Sequence, residues 1–171
     1  MAEFIDHSEE IQKQMEANIR AALEECGVQA VSHTVENLTK DAYHGGVKWY
    51  KRTGHLKDFS HEVNMDDKEV VIGTNTSYAK YWEYGTGEYA DKGGRPGYWV
   101  FVPGNGGGGV GGNTGKVYTE EQAKQIVKLL QSKGIDAHMT KGIKPVHMLK
   151  NAIEKNSKEY IETIKQHLSK I

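Results

Sequence analysis

A chain of 171 residues with 22 Lys and Arg against 23 Asp and Glu can bury a real core but carries almost no net charge. Its length favours one domain, and no overall positive field is available for gripping nucleic acid. One cysteine, Cys26, excludes an internal disulfide, and Met-Ala-Glu-Phe-Ile-Asp at the start lacks the basic flank and apolar core of a signal peptide.

From Ser8 to about Ala42 the apolar positions Ile11, Met15, Ile19, Ala22/Leu23 and Cys26, then Val28, Val31, Val35 and Leu38, recur every three or four residues. This is helical periodicity, with a hitch expected at Gly27 and Cys26 expected as a small buried apolar residue. At ~1.5 Å per residue such a helix would outrun a compact domain of this size, so part of it is expected to meet another subunit. His44-Gly-Gly46 closes the helical region.

Phe59, His61, Val63 and Met65 then alternate with Ser60, Glu62 and Asn64, and Val70 and Ile72 flank Val71 before Gly73. The pattern predicts a β-hairpin turning at Asp66-Asp67, with His61 on its apolar face as a partly buried, satisfied histidine. Thr76 or Ser77 is expected to cap a short helix in which Tyr78 and Trp82 are four apart and which Gly85 stops. Tyr98 to Val102 reads as a strand, and residues 104–115 follow, eight of the twelve being Gly.

Thr119-Glu-Glu-Gln122 has capping-box spacing and opens a helix with Ala123, Ile126, Val127 and Leu130 on its core face, closed by Gly134. Ile135, Ala137 and Met139 alternate as in a short strand. The last helix is expected to start near Pro145 and to run on a stripe of Leu149, Ile153, Tyr160, Ile164 and Leu168. No apolar run approaches the ~18 residues of a membrane span, and the chain reads as a soluble, intracellular product.

Charge is unevenly distributed. Residues 1–45 carry nine acids against three bases, and residues 141–171 carry seven lysines against three acids. The two ends are expected to attract one another, within a chain or between neighbouring subunits.

The glycine tract tests a nucleotide reading. Gly104-x-Gly106-x-x-Gly109 follows a strand, as in a dinucleotide-binding turn. That chemistry needs a helix to begin inside the motif so that its first N–H groups face the pyrophosphate, whereas here the capping signal lies ten residues past Gly109. A phosphate loop ending at Lys116 would need Gly at 110 and Ser or Thr at 117, and both positions are Val. The tract therefore reads as a flexible loop rather than a cofactor site.

The eight histidines show neither His-Glu-x-x-His nor zinc spacing with cysteine, and no serine lies in Gly-x-Ser-x-Gly. The expectation is no enzyme, no catalytic residue, no cofactor and no metal site. The rival readings are a nucleotide-binding enzyme that uses the glycine tract and a nucleic-acid-binding module that uses the lysine-rich C-terminal helix.

Three blocks stand out in order: Arg52-Thr-Gly-His-Leu-Lys-Asp-Phe59, Val71-Ile-Gly-Thr-Asn-Thr-Ser-Tyr-Ala-Lys-Tyr-Trp-Glu-Tyr-Gly-Thr-Gly87, and Gly142-Ile-Lys-Pro-Val-His-Met-Leu-Lys-Asn-Ala152. Together they resemble the head–tail joining, or neck, protein family of long-tailed bacteriophages, typified by the Hong Kong phage gene-product-ten protein. The middle block is the most specific. The resemblance covers about residues 50–153, and the segment from the glycine tract to Thr140 departs from the simplest family pattern as an insertion.

The resemblance implies a virion part made in a bacterial host cytoplasm, where an oligomeric ring meets the head connector or head-closure protein on one side and tail-tube or tail-terminator proteins on the other. DNA would only pass through as cargo, and no membrane is involved. A tail-completion role in the same particle is the neighbouring alternative.

The motif residues Gly54, Leu56, Gly73, Thr74, Tyr78, Ala79, Glu83, Gly85, Thr86, Gly87, Pro145 and Leu149 are expected to hold backbone and core. Gly54 would turn the chain into the first strand, Tyr78, Ala79 and Trp82 would press on the sheet, and Glu83 would receive N–H bonds from Gly85-Thr86-Gly87. Tyr81, Trp82 and Tyr84 are the candidate contact surface.

The fold expected is α+β, a small, mainly antiparallel sheet covered by helices, with long N-terminal and C-terminal helices. It is expected as one domain over 1–171: a helical region at 1–45, a hairpin, short helix and strand at 50–103, a flexible loop at 104–118, a helix-strand insertion at 119–140 and a C-terminal helix at 141–171.

Overall fold

The computed structural model describes residues 6–42, 54–103 and 116–170. The glycine tract 104–115 and His44-Gly-Gly46 lie outside the described residues. The architecture is α+β, with long terminal helices, and the described chain gathers into two compact units. Its strands are antiparallel, as expected, but form two separate two-stranded sheets instead of one.

The first unit holds helix α1 (Ser8–Ala42) up to Lys40, strands β1 (Ser60–Asn64) and β2 (Glu69–Gly73), and helix α4 (Met148–Leu168). The 35 residues of α1 form one uninterrupted helix, so the hitch expected at Gly27 is absent. Glycine serves packing there instead. A Cβ at Gly27 would lie 2.3 Å from Cδ2 and 2.6 Å from Cγ of His61, so the missing side chain is the space into which the hairpin's imidazole fits.

Apart from Gly27, the buried positions of α1 are Asn18, Ala22, Cys26, Ala30, Thr34 and Leu38, each four residues from the last. This stripe keeps Ala22, Cys26 and Leu38 of the apolar periodicity and adds Asn18, Ala30 and Thr34. Ile11, Met15 and Val28 are exposed, because small side chains let neighbouring elements approach the helix where bulky aliphatics would hold them off. Thr34 Oγ1 satisfies itself by donating to Ala30 O at 2.7 Å.

Helix α4 runs antiparallel to α1, and polar groups one turn apart join them. Cys26 Sγ donates to Tyr160 O at 3.7 Å, Gln29 Nε2 to Thr163 Oγ1 at 3.1 Å, and Asn37 Nδ2 to Met148 O at 3.2 Å. His33 Nδ1 lies 2.9 Å from the Tyr160 hydroxyl. Each such bond contributes a net ~1 kcal/mol, and together they fix the register of two helices with little apolar bulk between them.

Between the acidic N-terminal and lysine-rich C-terminal segments, the close side-chain approaches of opposite type in α1 and α4 involve histidine. His167 Nε2 lies 2.8 Å from Glu25 Oε2 and His33 Nε2 3.6 Å from Glu159 Oε2. On α4 the buried residues are Met148, Ala152 and Thr163, whereas Ile153 and Leu168 of the predicted stripe are exposed, one step around the helix from expectation.

The hairpin follows its sequence pattern. His61 pairs with Ile72 and Val63 with Val70 on the partly buried face, while Ser60, Glu62, Glu69 and Val71 face out. Asn64 organises the turn by accepting the Asp66 N–H at 3.0 Å, and Lys68 takes φ +51° to close it. His61 is satisfied as expected, with Nε2 3.0 Å from Glu24 Oε2.

The second unit holds helix α2 (Ala79–Tyr84), strand β3 (Trp99–Phe101), helix α3 (Glu120–Ser132) and strand β4 (His138–Thr140). β3 and β4 pair antiparallel with Val100 opposite Met139, and Tyr98 bridges Tyr118. Val100, Ala123 and Ala137 form the buried centre, and Ile126, Val127 and Leu130 of the predicted α3 face pack on it.

The capping box is complete. Gln122 N donates to Thr119 Oγ1 at 3.3 Å, and Thr119 N to Gln122 Oε1 at 3.1 Å. At the other end Gly134 N–H bonds Gln131 O and Ile135 N–H bonds Leu130 O, with Gly134 at φ +76°. This double closure uses the Ile135 N–H, and the strand starts three residues later than its alternation suggested.

Candidate interaction surface

The middle and last family blocks meet in the second unit. Thr86 N donates to Ile143 O and Glu88 N to Lys141 O, each at 2.9 Å, and Ile143 N returns to Thr86 Oγ1 at 2.9 Å. Val146 N donates to Trp82 O at 2.7 Å and His147 N to Glu83 O at 3.3 Å. Residues 82–88 and 141–147 are thus zipped backbone to backbone, and the N–H of Thr86 that was expected to serve Glu83 is used by this zipper.

Two glycines make the approach possible. A Cβ on Gly142, at φ +129°, would lie 1.9 Å from Thr86 O, and one on Gly87, at φ +63°, would lie 2.1 Å from Lys141 O. Gly85 ends α2 at φ +72°, with Pro145 against it. Pro145 therefore belongs to this extended segment, and α4 begins three residues later at Met148, not in Pro145's own turn as expected.

Around the zipper Lys141 donates to Glu88 Oε1 at 3.3 Å and sits 5.1 Å from the Tyr98 ring centroid. The Glu88 hydrogen bond and charge, then the Tyr98 contact, hold its ammonium above the usual lysine range. Lys144 lies 5.6 Å from the Tyr89 ring.

This frame carries α2. Ala79 and Glu83 face inward and are buried, and Trp82 is half-buried. Tyr78, Tyr81 and Tyr84, each three residues on, are exposed, Tyr81 by 46% and Tyr84 by 59%. Tyr78 was expected against the sheet. It instead occupies the N-cap position of α2 without making a side-chain cap, because Thr76 Oγ1, one of the two residues expected to cap, donates to His55 O. Spacing by three within so short a helix was the signal that Tyr78 belongs with Tyr81 and Tyr84.

Of the remaining motif residues, Leu56, Gly73, Thr74 and Leu149 lie in the first unit and Gly54 in the second. Gly54 takes φ +87° before the turn containing Leu56, which is buried, and Gly73 ends β2. Thr74 Oγ1 accepts the Thr76 N–H at 3.2 Å, and Leu149 is half-buried in the first turn of α4.

Sequence periodicity missed a second exposed feature. Residues 6–17 of the chain are all exposed, Ile11 by 51% and Met15 by 42%, although both belong to the apolar periodicity of the helix. Among the described residues no group of three or more His, Cys, Asp or Glu is placed to hold a metal ion, and no helix is long and apolar enough to cross a membrane.

Residues 2–85, just under half of the chain, match the family model described as "Bacteriophage HK97-gp10, putative tail-component". No curated protein and no solved structure gives a significant match. The matched segment takes in α1, the β1–β2 hairpin and α2 up to Gly85, so the exposed arm and the tyrosine face both fall inside it. With its order of elements and its family blocks in place, this part of the chain is similar to the HK97-gp10-like family of phage proteins, tail-related structural components of the virion.

Proposed function

We propose that this protein joins head and tail in a tailed bacteriophage or prophage as an oligomeric neck ring, working through protein contacts and not through catalysis. The observation that carries the reading is the exposed tyrosine face of α2 within the family-matched segment. Large aromatics on a rigid frame dominate interface energetics when they enter a partner's pocket, and the zipper behind α2 supplies the rigidity. Tyr81 and Tyr84, with half-buried Trp82 at their base, are the surface offered to a head-closure or tail-tube protein.

The family description as a tail component favours a second reading, completion or termination of the tail in the same particle. One experiment separates them. A phage lacking the gene is examined by electron microscopy, and complementation uses the wild type or a Tyr81→Ala/Tyr84→Ala variant. Filled heads beside finished, unattached tails support the neck role; tails of abnormal length or with open ends support completion. Normal infectious particles without the protein, or full complementation by the double variant, refute the proposed surface role.

A further inference from the structure

We propose that the acidic, exposed N-terminal arm of α1 in one copy docks as a helix into a lysine-rimmed groove between α3 and β4 of a second copy. The inference rests on the ring reading above and names the contact that would build the ring.

Among the described residues the arm is a helix without a partner over its first turns. Residues 6–17 are exposed, and coverage starts only at Asn18, whose buried Nδ2 has no hydrogen-bond partner. Ile11 and Met15, four residues apart, stand on one face about 6 Å apart along the axis. Asp6, Glu9, Glu10 and Glu16 surround them, against Lys13. An apolar pair on a free helix amid acids is the form of a helix that docks in a groove.

The groove has the complementary form. It is an open hollow of about 360 Å³ along α3 and β4, with Val127, Ala137 and Met139 in its lining, the exposed side chains of Lys124, Lys128 and Gln131 beside them, and His138, 2.9 Å from Asp136, at its edge. Lys124 is held by Glu120 at 2.7 Å. Apolar side chains from the arm would cover the aliphatic lining, and the arm's carboxylates would lie beside the lysines.

Charge decides which occupant fits. Two arms packed on one another would bring Glu9, Glu10 and Glu16 against their own copies, which is repulsive, so a symmetric arm-to-arm contact is disfavoured. Arm into groove joins unlike surfaces, each copy offers both halves, and such a head-to-tail contact closes into a ring when its rotation allows.

The test uses the full-length protein in sedimentation velocity over a concentration series at low and high salt. The wild type is expected to associate, less strongly at high salt because the rim pairs are screened. Ile11→Glu/Met15→Glu and, separately, Lys124→Glu/Lys128→Glu are each expected to weaken association by about tenfold or more. Both pairs lie on the surface, and unchanged circular dichroism shows that each variant is folded; Lys128→Glu alone serves if the double change is not.

Mixing the arm variant with the groove variant leaves one intact arm and one intact groove, so the mixture is expected to form a dimer that neither makes alone. A Met15→Cys chain mixed with a Gln131→Cys chain is expected to form a disulfide-linked dimer, with buried Cys26 as bystander. A wild type that forms rings while both variants also form them overturns the arm-in-groove contact and leaves the ring reading standing. A wild type that stays monomeric at every concentration overturns both. Failure of the mixed pair to associate, with each variant folded and monomeric, overturns the head-to-tail geometry.

Discussion

Replacing Gly27 by Ala sets two large effects of opposite sign against each other. In a helix interior the change should stabilise by ~1 kcal/mol, since alanine loses less backbone entropy than glycine. Here the new Cβ would lie 2.3 and 2.6 Å from ring atoms of His61 and 3.0 Å from Val70 Cγ2. Cγ and Cδ2 are the ring atoms nearest the glycine, and Nε2, bonded to Cδ2, is tied to Glu24 at 3.0 Å, so the ring cannot swing clear without giving up that contact or moving the hairpin. Overpacking of this kind costs up to ~3 kcal/mol, giving a net loss of ~2 kcal/mol.

For a chain of this size that loss corresponds to a fall of roughly 4–8 °C in melting temperature. Thermal and urea denaturation followed by circular dichroism would measure it. The decisive arm repeats the change in a His61→Ala background, where the ring is gone and only the Val70 contact needs a small adjustment. There Gly27→Ala should be neutral or stabilising, with a coupling of ~2 kcal/mol between the two positions. A higher melting temperature for Gly27→Ala with His61 in place would falsify the claim that the histidine ring fills the space of the missing side chain.

Further predictions concern the second unit and the cysteine. Thr119→Ala removes half of the capping box and should cost ~1 kcal/mol, whereas Thr119→Ser should cost little; equal melting temperatures for all three chains would count against the cap. Gly142→Ala should destabilise by more than ~3 kcal/mol, because it combines a positive φ with a Cβ 1.9 Å from Thr86 O; a variant that melts like the wild type would show that the zipper does not need glycine there. Burial, then the neighbouring Glu25 charge, pushes the Cys26 thiol above its ordinary range, so a thiol reagent should label it slowly in the native protein and promptly in denaturant; fast native labelling contradicts the α1 packing. NAD, ATP and GTP should leave the melting temperature unchanged, and a micromolar-affinity shift with any of them would revive the nucleotide reading of the glycine tract.

Local chemistry was legible wherever one stretch of chain decides the outcome. The alternation of His61, Val63, Val70 and Ile72 gave the hairpin and its inner face, and Thr119 to Gln122 gave the helix start, because a pleat and a capping box are completed by residues within a few positions. The candidate surface was legible only in part. Tyr81 and Tyr84 were singled out and are exposed, but Tyr78 was assigned inward and Ile11 and Met15 were not told apart from the covered part of α1, since periodicity marks a face without saying whether anything covers it.

By itself the sequence determined the helices, the hairpin, the α3 capping box and the family blocks, all of which depend on neighbouring residues and their spacing. Only the tertiary structure decided that α1 buries its small residues, that Gly27 makes room for His61, that the strands divide between two sheets, and that Thr86 and Gly142 meet across more than fifty positions of chain. The physical reason is that burial is a property of pairs of surfaces. One helix can carry two candidate faces, and which is hidden depends on how closely a distant segment can approach it.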